Sequence, residues 1–308
     1  MVEQEVPVRP GPTRCGFAAL IGAPNVGKST LVNALVGSKI SIVSSKVQTT
    51  RALVRGIAME GNAQIILVDT PGIFVPKRRL DRAMVSAAWS GAHDADLVCV
   101  MLDAKRGLDD EASGVMAQLG SSSRPLFLVI NKVDTVAREA LLGLAKAANE
   151  RLAFARTFMI SALSGDGVAD LRAAMAAAMP EGPFLYPEDQ ISDAPERYLA
   201  AEVTREKIYR KLHQELPYQS TVETTSWNER KDGSVRIEQT IFVERESQRK
   251  IVLGKAGATI KAIGADSRKE LAEILDRPVH LFLFVKVRED WGDDPERYRE
   301  MGLEFPKR

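Results

Sequence analysis

Short apolar runs and longer mixed segments alternate along the chain between residues 14 and 180. The runs are typical of strands buried in a parallel sheet, and the mixed segments are typical of helices. Strands are predicted at residues 17–21, 54–59, 63–68, 96–102, 126–130 and 157–160. Helices are predicted at residues 29–36, 78–91, 109–119, 137–154 and 168–178. This alternation predicts an α/β fold with a doubly wound, mostly parallel sheet, whose ligands bind beyond the carboxyl ends of the strands.

The pattern changes after residue 180. Residues 181–195 hold three prolines and little periodicity, which indicates an interdomain linker. Beyond it we predict helices at 196–216, 247–253, 259–275 and 293–301, and strands at 220–229, 235–244 and 279–287. The first two of these strands flank a Lys-Asp-Gly segment, which is a hairpin signal. The expected parts are therefore a flexible tail at 1–13, a first domain at 14–180, the linker, and an α+β domain with a C-terminal tail at 196–308.

The composition allows two domains and excludes some classes of protein. Of the 308 residues, 45% are apolar and 27% are charged, as in an ordinary soluble protein. The formal net charge of +1 excludes a generally basic protein, so any nucleic-acid contact must use a local patch. No stretch approaches the roughly 18–20 apolar residues of a membrane span, and the first residues lack the apolar core of a signal peptide.

The two cysteines, Cys15 and Cys99, lie in apolar, strand-like surroundings and lack a metal-binding spacing. Buried, reduced thiols are therefore expected rather than a disulfide. That state is typical of proteins in the cytosol, where we expect this chain to reside.

Residues 22–29, Gly-Ala-Pro-Asn-Val-Gly-Lys-Ser, match the full phosphate-loop pattern between a predicted strand and a predicted helix. In that setting backbone N–H groups can wrap a phosphate at the helix N-terminus. Lys28 can reach the β- and γ-phosphates, and the Ser29 hydroxyl can ligate Mg²⁺. The candidate phosphate-binding residues are Gly22, Ala23, Pro24, Asn25, Val26, Gly27, Lys28, Ser29 and Thr30.

Further motifs follow at the ends of later strands. The first is Asp69, Thr70, Pro71 and Gly72. The carboxylate of Asp69 can hold Mg²⁺ through water, and the N–H group of Gly72 can meet a γ-phosphate. A Gln-Thr-Thr-Arg segment at 48–51 lies in the loop after the first helix, where a threonine can ligate Mg²⁺ and sense the γ-phosphate.

Two motifs suit the recognition of a guanine base. They are Asn131, Lys132 and Asp134, followed by Ser161, Ala162 and Leu163. The carboxylate of Asp134 can accept from the N1–H and 2-amino groups of guanine, a donor pair that adenine lacks. Lys132 can cover the base plane, and Asn131 can tie its loop to the phosphate loop. A backbone N–H group of the 161–163 segment can meet guanine O6.

In this order, the motifs give residues 14–180 a resemblance to translation-factor-related GTPases of the Ras-like fold. The resemblance implies GTP and GDP as ligands, a switch I segment at Thr49 and Thr50, and a switch II segment that begins at Asp69. It implies catalytic roles for Lys28, Asn25 and Thr50. The implied Mg²⁺ ligands are Ser29, Asp69 and a switch I threonine, either Thr49 or Thr50, with Thr50 preferred.

Two positions bear on catalysis. Ras-like enzymes place a water-positioning glutamine after the switch II glycine, but this chain has Ile73, which cannot orient a water. The sequence thus resembles the subgroup with a hydrophobic residue there, and slow hydrolysis or assistance by another group is expected. Asn25 is the second position. In related GTPases an asparagine here accompanies a K⁺ ion near the phosphates, while the alternative is that Asn25 only shapes the loop.

The second domain contains a Gly-x-x-Gly sequence before a predicted helix. Such a loop between two helices lets a nucleic-acid backbone approach closely, although a helix–turn–helix corner would also explain it. The order of predicted elements resembles a type II KH domain, which takes single-stranded RNA in a groove beside that loop. The candidate RNA-binding residues are Gly254, Lys255, Ala256, Gly257, Lys250 and Lys261.

The combination of the two domains identifies a family more specifically than either domain does alone. A GTPase with Gln-Thr-Thr-Arg in switch I followed by this KH domain closely resembles the bacterial Era family. The resemblance covers nearly the whole chain beyond the tail. It implies binding to the 3′ end of 16S rRNA and assistance in 30S ribosomal subunit assembly, by a monomer that needs no obligate protein partner.

Two alternatives remain open. The chain could be a membrane-associated signalling GTPase whose basic residues meet anionic headgroups at the inner membrane, although no lipidation motif supports stable anchoring. These residues form a basic cluster in the second domain, which comprises Arg245, Arg249, Lys250, Lys255, Lys261, Arg268, Lys269, Lys286 and Arg288. It could also be a passive RNA-binding protein with a degenerate nucleotide site. The intact Lys28, Ser29, Asp69 and Asp134 argue against that second alternative.

Overall fold

A computed structural model of the chain describes residues 11–44, 46, 49–289 and 291–306. Most of the predicted tail at 1–13 lies outside the described residues, and so does Gln48 of the predicted switch I segment. Among the helices of the described residues, none has the length and hydropathy needed to cross a membrane.

The first domain is built around a six-stranded sheet. Its strands are β1 (Arg14–Gly22), β2 (Val54–Glu60), β3 (Ala63–Asp69), β4 (Leu97–Asp103), β5 (Leu126–Asn131) and β6 (Arg156–Ile160). The order across the sheet is β2-β3-β1-β4-β5-β6, with β2 antiparallel to β3 and every other pair parallel. The predicted doubly wound, mostly parallel sheet is confirmed.

Five helices cover the two faces of this sheet. They are α1 (Lys28–Val36), α2 (Arg79–Asp94), α3 (Asp110–Leu119), α4 (Arg138–Arg151) and α5 (Val168–Ala178). One apolar core lies under α1 and α5, and a second lies under α2, α3 and α4. Strands β3, β4 and β5 are buried along their whole length because helices cover both faces, which explains their unbroken apolar sequences.

Both cysteines are buried and unpaired, as predicted. Burial raises the pKa of the Cys99 thiol to about 12. Cys99 therefore stays protonated and unreactive at neutral pH, and it serves as a small apolar side chain of the core.

The second domain has the predicted element order. Its elements are α6 (Glu196–Lys211), β7 (Ser220–Glu229), β8 (Val235–Val243), α7 (Glu246–Leu253), α8 (Ala258–Ile274), β9 (Val279–Val287) and α9 (Pro295–Glu300). Strands β7 and β8 are antiparallel, and β9 joins β8 in parallel to complete the sheet. Helix α6 ends at Lys211, five residues before the predicted end at 216, since Leu212 is extended, Gln214 has a φ of 56°, and a proline at 217 disfavours a helix before it.

The linker is fastened to the first domain. The side-chain oxygen of Gln64 accepts from the N–H groups of Leu185 and Tyr186, and its amide donates to the carbonyl of Tyr186 at 2.8 Å. The N–H group of Ile57 on β2 donates to the carbonyl of Ile191 at 2.9 Å. Strand β2 is an edge strand, so the linker supplies partners to backbone groups that the sheet itself leaves unpaired.

Candidate nucleotide and RNA sites

The phosphate loop begins where three parallel strands end side by side. Leu20 of β1 pairs with Asp69 at the end of β3, and Gly22 pairs with Met101 near the end of β4. Gly27 has a φ of 100°, and a Cβ there would collide with the amide of Asn131. A residue with a side chain would be strained at this φ, and its Cβ would have no room. These two reasons explain why the pattern needs glycine at this position.

Lys28 lies over the loop with its charge out of water. Its ammonium donates to the carbonyls of Gly22 and Ala23 at 3.1 and 2.9 Å. Burial lowers the pKa of Lys28 to about 8, and the attraction of Asp69 only partly opposes this. A phosphate in the loop would add a close negative charge and favour the charged lysine.

A candidate Mg²⁺ site lies beside Lys28. The hydroxyls of Ser29 and Thr50 are 2.8 Å apart, and the Thr50 hydroxyl donates to Asp69 at 3.5 Å. Among the described residues, Oδ1 of buried Asp69 has no hydrogen-bond partner. Burial raises the pKa of Asp69 despite hydrogen bonds from Ser29 and Thr50. Two hydroxyls and an unsatisfied carboxylate oxygen are the hard donors that Mg²⁺ prefers, so these residues fit the ion.

Thr49 points elsewhere. Its hydroxyl donates to the carbonyl of Lys46 at 2.7 Å, and its own carbonyl accepts from Arg205 in the second domain. The structure therefore brings Thr50, rather than Thr49, to Ser29 and Asp69.

The base-recognition loops are tied to the phosphate loop. The amide of Asn131 donates to the carbonyl of Val26 at 2.8 Å and accepts from the N–H group of Ala162 at 2.9 Å. This is the tie predicted for Asn131. The N–H group of Ser161 is also engaged, with the carbonyl of Asp166 at 3.0 Å, so Leu163 becomes the candidate donor to guanine O6.

Lys132 is held by the phosphate loop and by Asp103, a residue that the sequence analysis missed. Its ammonium donates to the carbonyl of Asn25 at 2.6 Å and to Asp103 at 2.7 Å. Burial opposes ionisation of Asp103, yet the hydrogen bonds from Lys132 and from the N–H groups of Lys105 and Arg106, with the charge of Lys132, together outweigh it and lower the pKa of Asp103. Asp103 ends β4 at the same edge as the motifs, and this position was the signal that could have identified it.

One cavity of about 460 Å³ collects these groups. Its lining includes the predicted residues Pro24, Asn25, Gly27, Lys28, Ser29, Thr30, Thr49, Thr50, Thr70, Gly72, Asn131, Lys132, Asp134, Ser161, Ala162 and Leu163. It also includes Ile42, Val43 and Ser44, whose loop has no recognisable motif, and Thr135, which directly follows the motif of Asn131, Lys132 and Asp134. The volume lies within the usual range of about 300–1,000 Å³ for small-ligand sites.

Ile73 takes part in the site through its backbone. Its N–H group donates to the carbonyl of Gly22 at 3.0 Å, which joins the start of switch II to the phosphate loop. Its side chain packs against the core under α2, α3 and α4. An apolar residue suits this environment, and the Ile73 side chain has no polar group with which to position a water as a glutamine does.

The Gly-x-x-Gly sequence forms the corner between α7 and α8. Residues Lys255–Gly257 make one 3₁₀ turn, in which Ala256 has a φ of 51° and Gly257 a φ of 76°. Lys250, Lys255 and Lys261 are exposed around this corner. The bare backbone and the three exposed lysines lie within twelve consecutive residues, an arrangement that suits contact with a nucleic-acid backbone.

Switch I runs directly into the second domain. Arg51, which is 4% exposed, donates to the carbonyl of Ser220 at 2.9 Å and to the hydroxyl of Tyr209 at 3.1 Å. Earlier in the same loop, the N–H group of Val43 donates to buried Glu206 of α6 at 2.9 Å. The segment that approaches the candidate Mg²⁺ ligands is thus also an interdomain contact.

Comparison with known proteins supports this description. Residues 17–132 match the family described as 50S ribosome-binding GTPase, and residues 215–292 match the KH domain family. The chain is 79% identical over 296 residues to the GTPase Era of Afipia carboxidovorans, with 96% of each chain covered. It is 66% identical to the GTPase Era of Rhizobium meliloti, over 96% of this chain and 95% of the relative.

Two solved structures are similar over almost the whole chain. One is the crystal structure of Era in complex with MgGDPNP and nucleotides 1506–1542 of 16S ribosomal RNA, with a TM-score of 0.89 and 38% identity over 94% of this chain and 99% of that chain. The other is Aquifex aeolicus Era Y63A bound to GDP·AlF₄⁻, with a TM-score of 0.89 and 37% identity over the same shares. The prediction of a GTPase domain joined to a KH domain is confirmed.

Proposed function

The chain belongs to the GTPase Era family, and from this premise we propose that it couples Mg²⁺-dependent GTP hydrolysis to binding of the 3′ end of 16S rRNA during 30S subunit assembly. As a member of this family the chain is a GTPase. A related Era binds a GTP analogue, Mg²⁺ and a 3′ segment of 16S rRNA, and this chain shares its architecture. The domain limits that we propose are 14–180 for the GTPase and 196–308 for the KH domain with its tail.

One observation carries the proposal: Thr50 lies at the candidate Mg²⁺ site, and the residue after it contacts the second domain. Its hydroxyl lies 2.8 Å from that of Ser29, while the next residue, Arg51, is buried in the second domain. An Mg²⁺ ion held by Ser29, Thr50 and Asp69 would neutralise charge on the β- and γ-phosphates. Any change in the position of Thr50 on loss of the γ-phosphate would be transmitted through Arg51 to the KH domain.

The remaining residues bind and orient the nucleotide. Lys28 and the N–H groups of the phosphate loop hold the phosphates, and Asp134 selects guanine. Asn131 and Lys132 fix the base loop against the phosphate loop through the bonds to Val26 and Asn25. Because position 73 offers no polar side chain, we expect slow intrinsic hydrolysis.

Asn25 is the residue that we propose for a K⁺ ion. It has a φ of 63° and lines the nucleotide cavity, and its carbonyl accepts from Lys132. A monovalent ion there would neutralise charge that develops between the phosphates. Hydrolysis should then be faster in potassium than in sodium salts, and Asn25→Ala should remove the difference. Equal rates of the unaltered protein in both salts would contradict this assignment.

RNA binding is assigned to the 254–257 corner with Lys250 and Lys261. Part of the wider basic cluster is neutralised within the domain, since Arg249 pairs with Glu246 at 2.9 Å and Arg288 pairs with Asp294. The exposed lysines at the corner are therefore the stronger candidates for phosphate contact. The same exposed lysines support a weaker, additional proposal, in which a mainly cytoplasmic monomer associates peripherally with anionic lipids of the inner membrane.

Fluorescence titration of a labelled oligonucleotide with the 16S 3′-end sequence tests the function. Titrations with a GTP analogue, with GDP and without nucleotide should give affinities that differ about 5- to 150-fold between the GTP and GDP forms. A scrambled oligonucleotide is the control for sequence. Equal RNA affinities of the GTP and GDP forms would favour a passive RNA-binding protein. Absence of RNA binding, together with binding to anionic vesicles, would favour the signalling alternative.

A further inference from the structure

A second cavity lies between the domains, away from the nucleotide. It has a volume of about 430 Å³ and is formed by α6, β7, α9 and the end of switch I. Four arginines line it, together with two glutamates: Arg51, Arg197, Arg205, Arg297, Glu202 and Glu223. Neither the GTPase reaction nor the Gly-x-x-Gly corner uses this cavity.

Two of its arginines have donors without acceptors. Arg205 is 1% exposed and pairs with Glu202, but its Nη1 has no partner among the described residues. Arg297 is 4% exposed and pairs through Nη1 with Glu223 at 2.7 Å, while its Nε and Nη2 have no partner within the same part of the chain. A buried charged donor without an acceptor is costly, so such groups indicate a missing ion or water.

The charges in the cavity do not balance. Glu202 and Glu223 each neutralise one arginine, which leaves the positive charges of Arg51 and Arg197. Burial lowers the pKa of Arg51, and repulsion by the nearby Arg205 adds to this effect. An anion in the cavity would reduce this repulsion, and it would accept from the unpaired donors of Arg205 and Arg297 once those buried guanidinium groups turn towards it. Guanidinium groups suit a phosphate in particular, because their planar N–H pairs match its oxygen atoms.

We propose that this cavity is a second anion site, which binds a phosphate group supplied either by free phosphate or by the backbone of RNA. The site would join three parts of the molecule, since Arg205 comes from α6, Arg297 from α9 and Arg51 from switch I. Arg205 also donates to the carbonyl of Thr49, so a bound phosphate would hold switch I against the KH domain. This inference does not depend on which RNA the KH domain binds.

Calorimetry on the full chain tests the site. The protein is first saturated with Mg²⁺ and a non-hydrolysable GTP analogue, so that the α-, β- and γ-phosphate positions of the nucleotide site are all filled, and inorganic phosphate is then titrated at constant ionic strength. Arg297→Met and Arg197→Met should each weaken phosphate binding by about tenfold or more, because each removes a charge-assisted donor. Glu223→Gln should strengthen it several-fold by removing a competing carboxylate. Arg236→Met is the matched control, since Arg236 lies over Phe282 on the outer face of the sheet and outside the cavity.

The outcomes separate the possibilities. Failure of the unaltered protein to bind phosphate would overturn the proposal, and so would equal binding by all the variants. Loss of phosphate binding in Gly257→Asp would assign the phosphate to the KH groove instead, which also overturns it. Because Arg297→Met could disturb α9, Arg297→Lys provides a second variant, which should unfold like the unaltered protein and bind phosphate with intermediate affinity. Displacement of phosphate by a 16S 3′-end oligonucleotide would identify the RNA backbone as the source of the bound phosphate group. Phosphate that stays bound when the oligonucleotide is added would identify free phosphate as the ligand.

Discussion

The nucleotide site and the 254–257 corner both offer bare backbone to phosphate, but they are built differently. In the nucleotide site each motif is held by another: Asn131 bonds to Val26 and Ala162, and Lys132 bonds to Asn25. The 254–257 corner is closed by a local bond, from the N–H group of Gly257 to the carbonyl of Gly254 at 3.2 Å. Long-range ties fix the geometry that discriminates a base, whereas a local turn suffices to admit a backbone of any sequence.

The first prediction concerns a variant that should lose selection for guanine, and it has the largest expected effect. Asp134→Asn should weaken GTP binding by about 2–4 kcal/mol, because a charge-assisted pair of hydrogen bonds to guanine is lost. The same variant should gain affinity for xanthosine triphosphate, whose base offers a carbonyl to the new amide. Calorimetry measures the affinity of each protein for GTP and for xanthosine triphosphate. Equal GTP affinity in both proteins would refute the role of Asp134.

The second prediction tests the local character of the corner. Gly257→Asp should weaken RNA binding by about 1.5–3 kcal/mol, because a carboxylate repels the phosphate that the loop admits, while GTP binding stays unchanged. Gly257→Ala separates charge from conformation, since the nearest atom to an added Cβ is 3.9 Å away although the φ of 76° is unfavourable for alanine. Fluorescence titration with labelled 16S 3′-end RNA is the measurement. Unchanged RNA affinity in Gly257→Asp would place the RNA site elsewhere.

The two regions also differ in how far the sequence predicted them. Most residues that line the candidate nucleotide site could be predicted, because the phosphate loop, the 69–72 segment and the two base motifs follow strands that end at one edge of the sheet. The contacts of Arg51 and Glu206 could not, since they join segments more than 150 residues apart and follow no local pattern. Helix α6 shows the same limit, because its buried charged residues Arg205 and Glu206 take partners from the other domain, at Thr49 and at Lys39.

The third prediction concerns the interdomain contact. Burial opposes ionisation of Glu206, but hydrogen bonds from Lys207, Lys39 and the N–H group of Val43 outweigh it and lower its pKa below 4.5. The ionised carboxylate therefore stabilises the folded state above pH 4.5, and this stabilisation is lost as the pH falls through the lower folded pKa. Glu206→Gln should cost about 1–2 kcal/mol near pH 7 and less in acid.

Urea denaturation of both proteins at neutral and acidic pH measures this difference. Glu215→Gln is the matched control, because Glu215 makes an exposed interdomain pair with Arg78 at 3.5 Å. An exposed pair contributes about 0–1 kcal/mol, and the control should show a smaller loss than Glu206→Gln. A cost of Glu206→Gln that stays constant from neutral pH to well below pH 4.5 would show that the carboxylate charge is not the stabilising group.

The smallest effect on function is expected at position 73, where the side chain should matter less for hydrolysis than the backbone. Ile73→Ala keeps the N–H group that donates to the carbonyl of Gly22 and removes only apolar contacts with the core under α2, α3 and α4. Single-turnover GTP hydrolysis should therefore change by no more than about twofold, or roughly 0.4 kcal/mol in the barrier. Stability should fall more clearly, by about 1–3 kcal/mol, since the side chain is only partly buried and its loss leaves a small cavity. A collapse of the single-turnover rate by orders of magnitude, in a protein that is still folded and saturated with GTP, would show that the Ile73 side chain positions the attacking water or the loop that carries it.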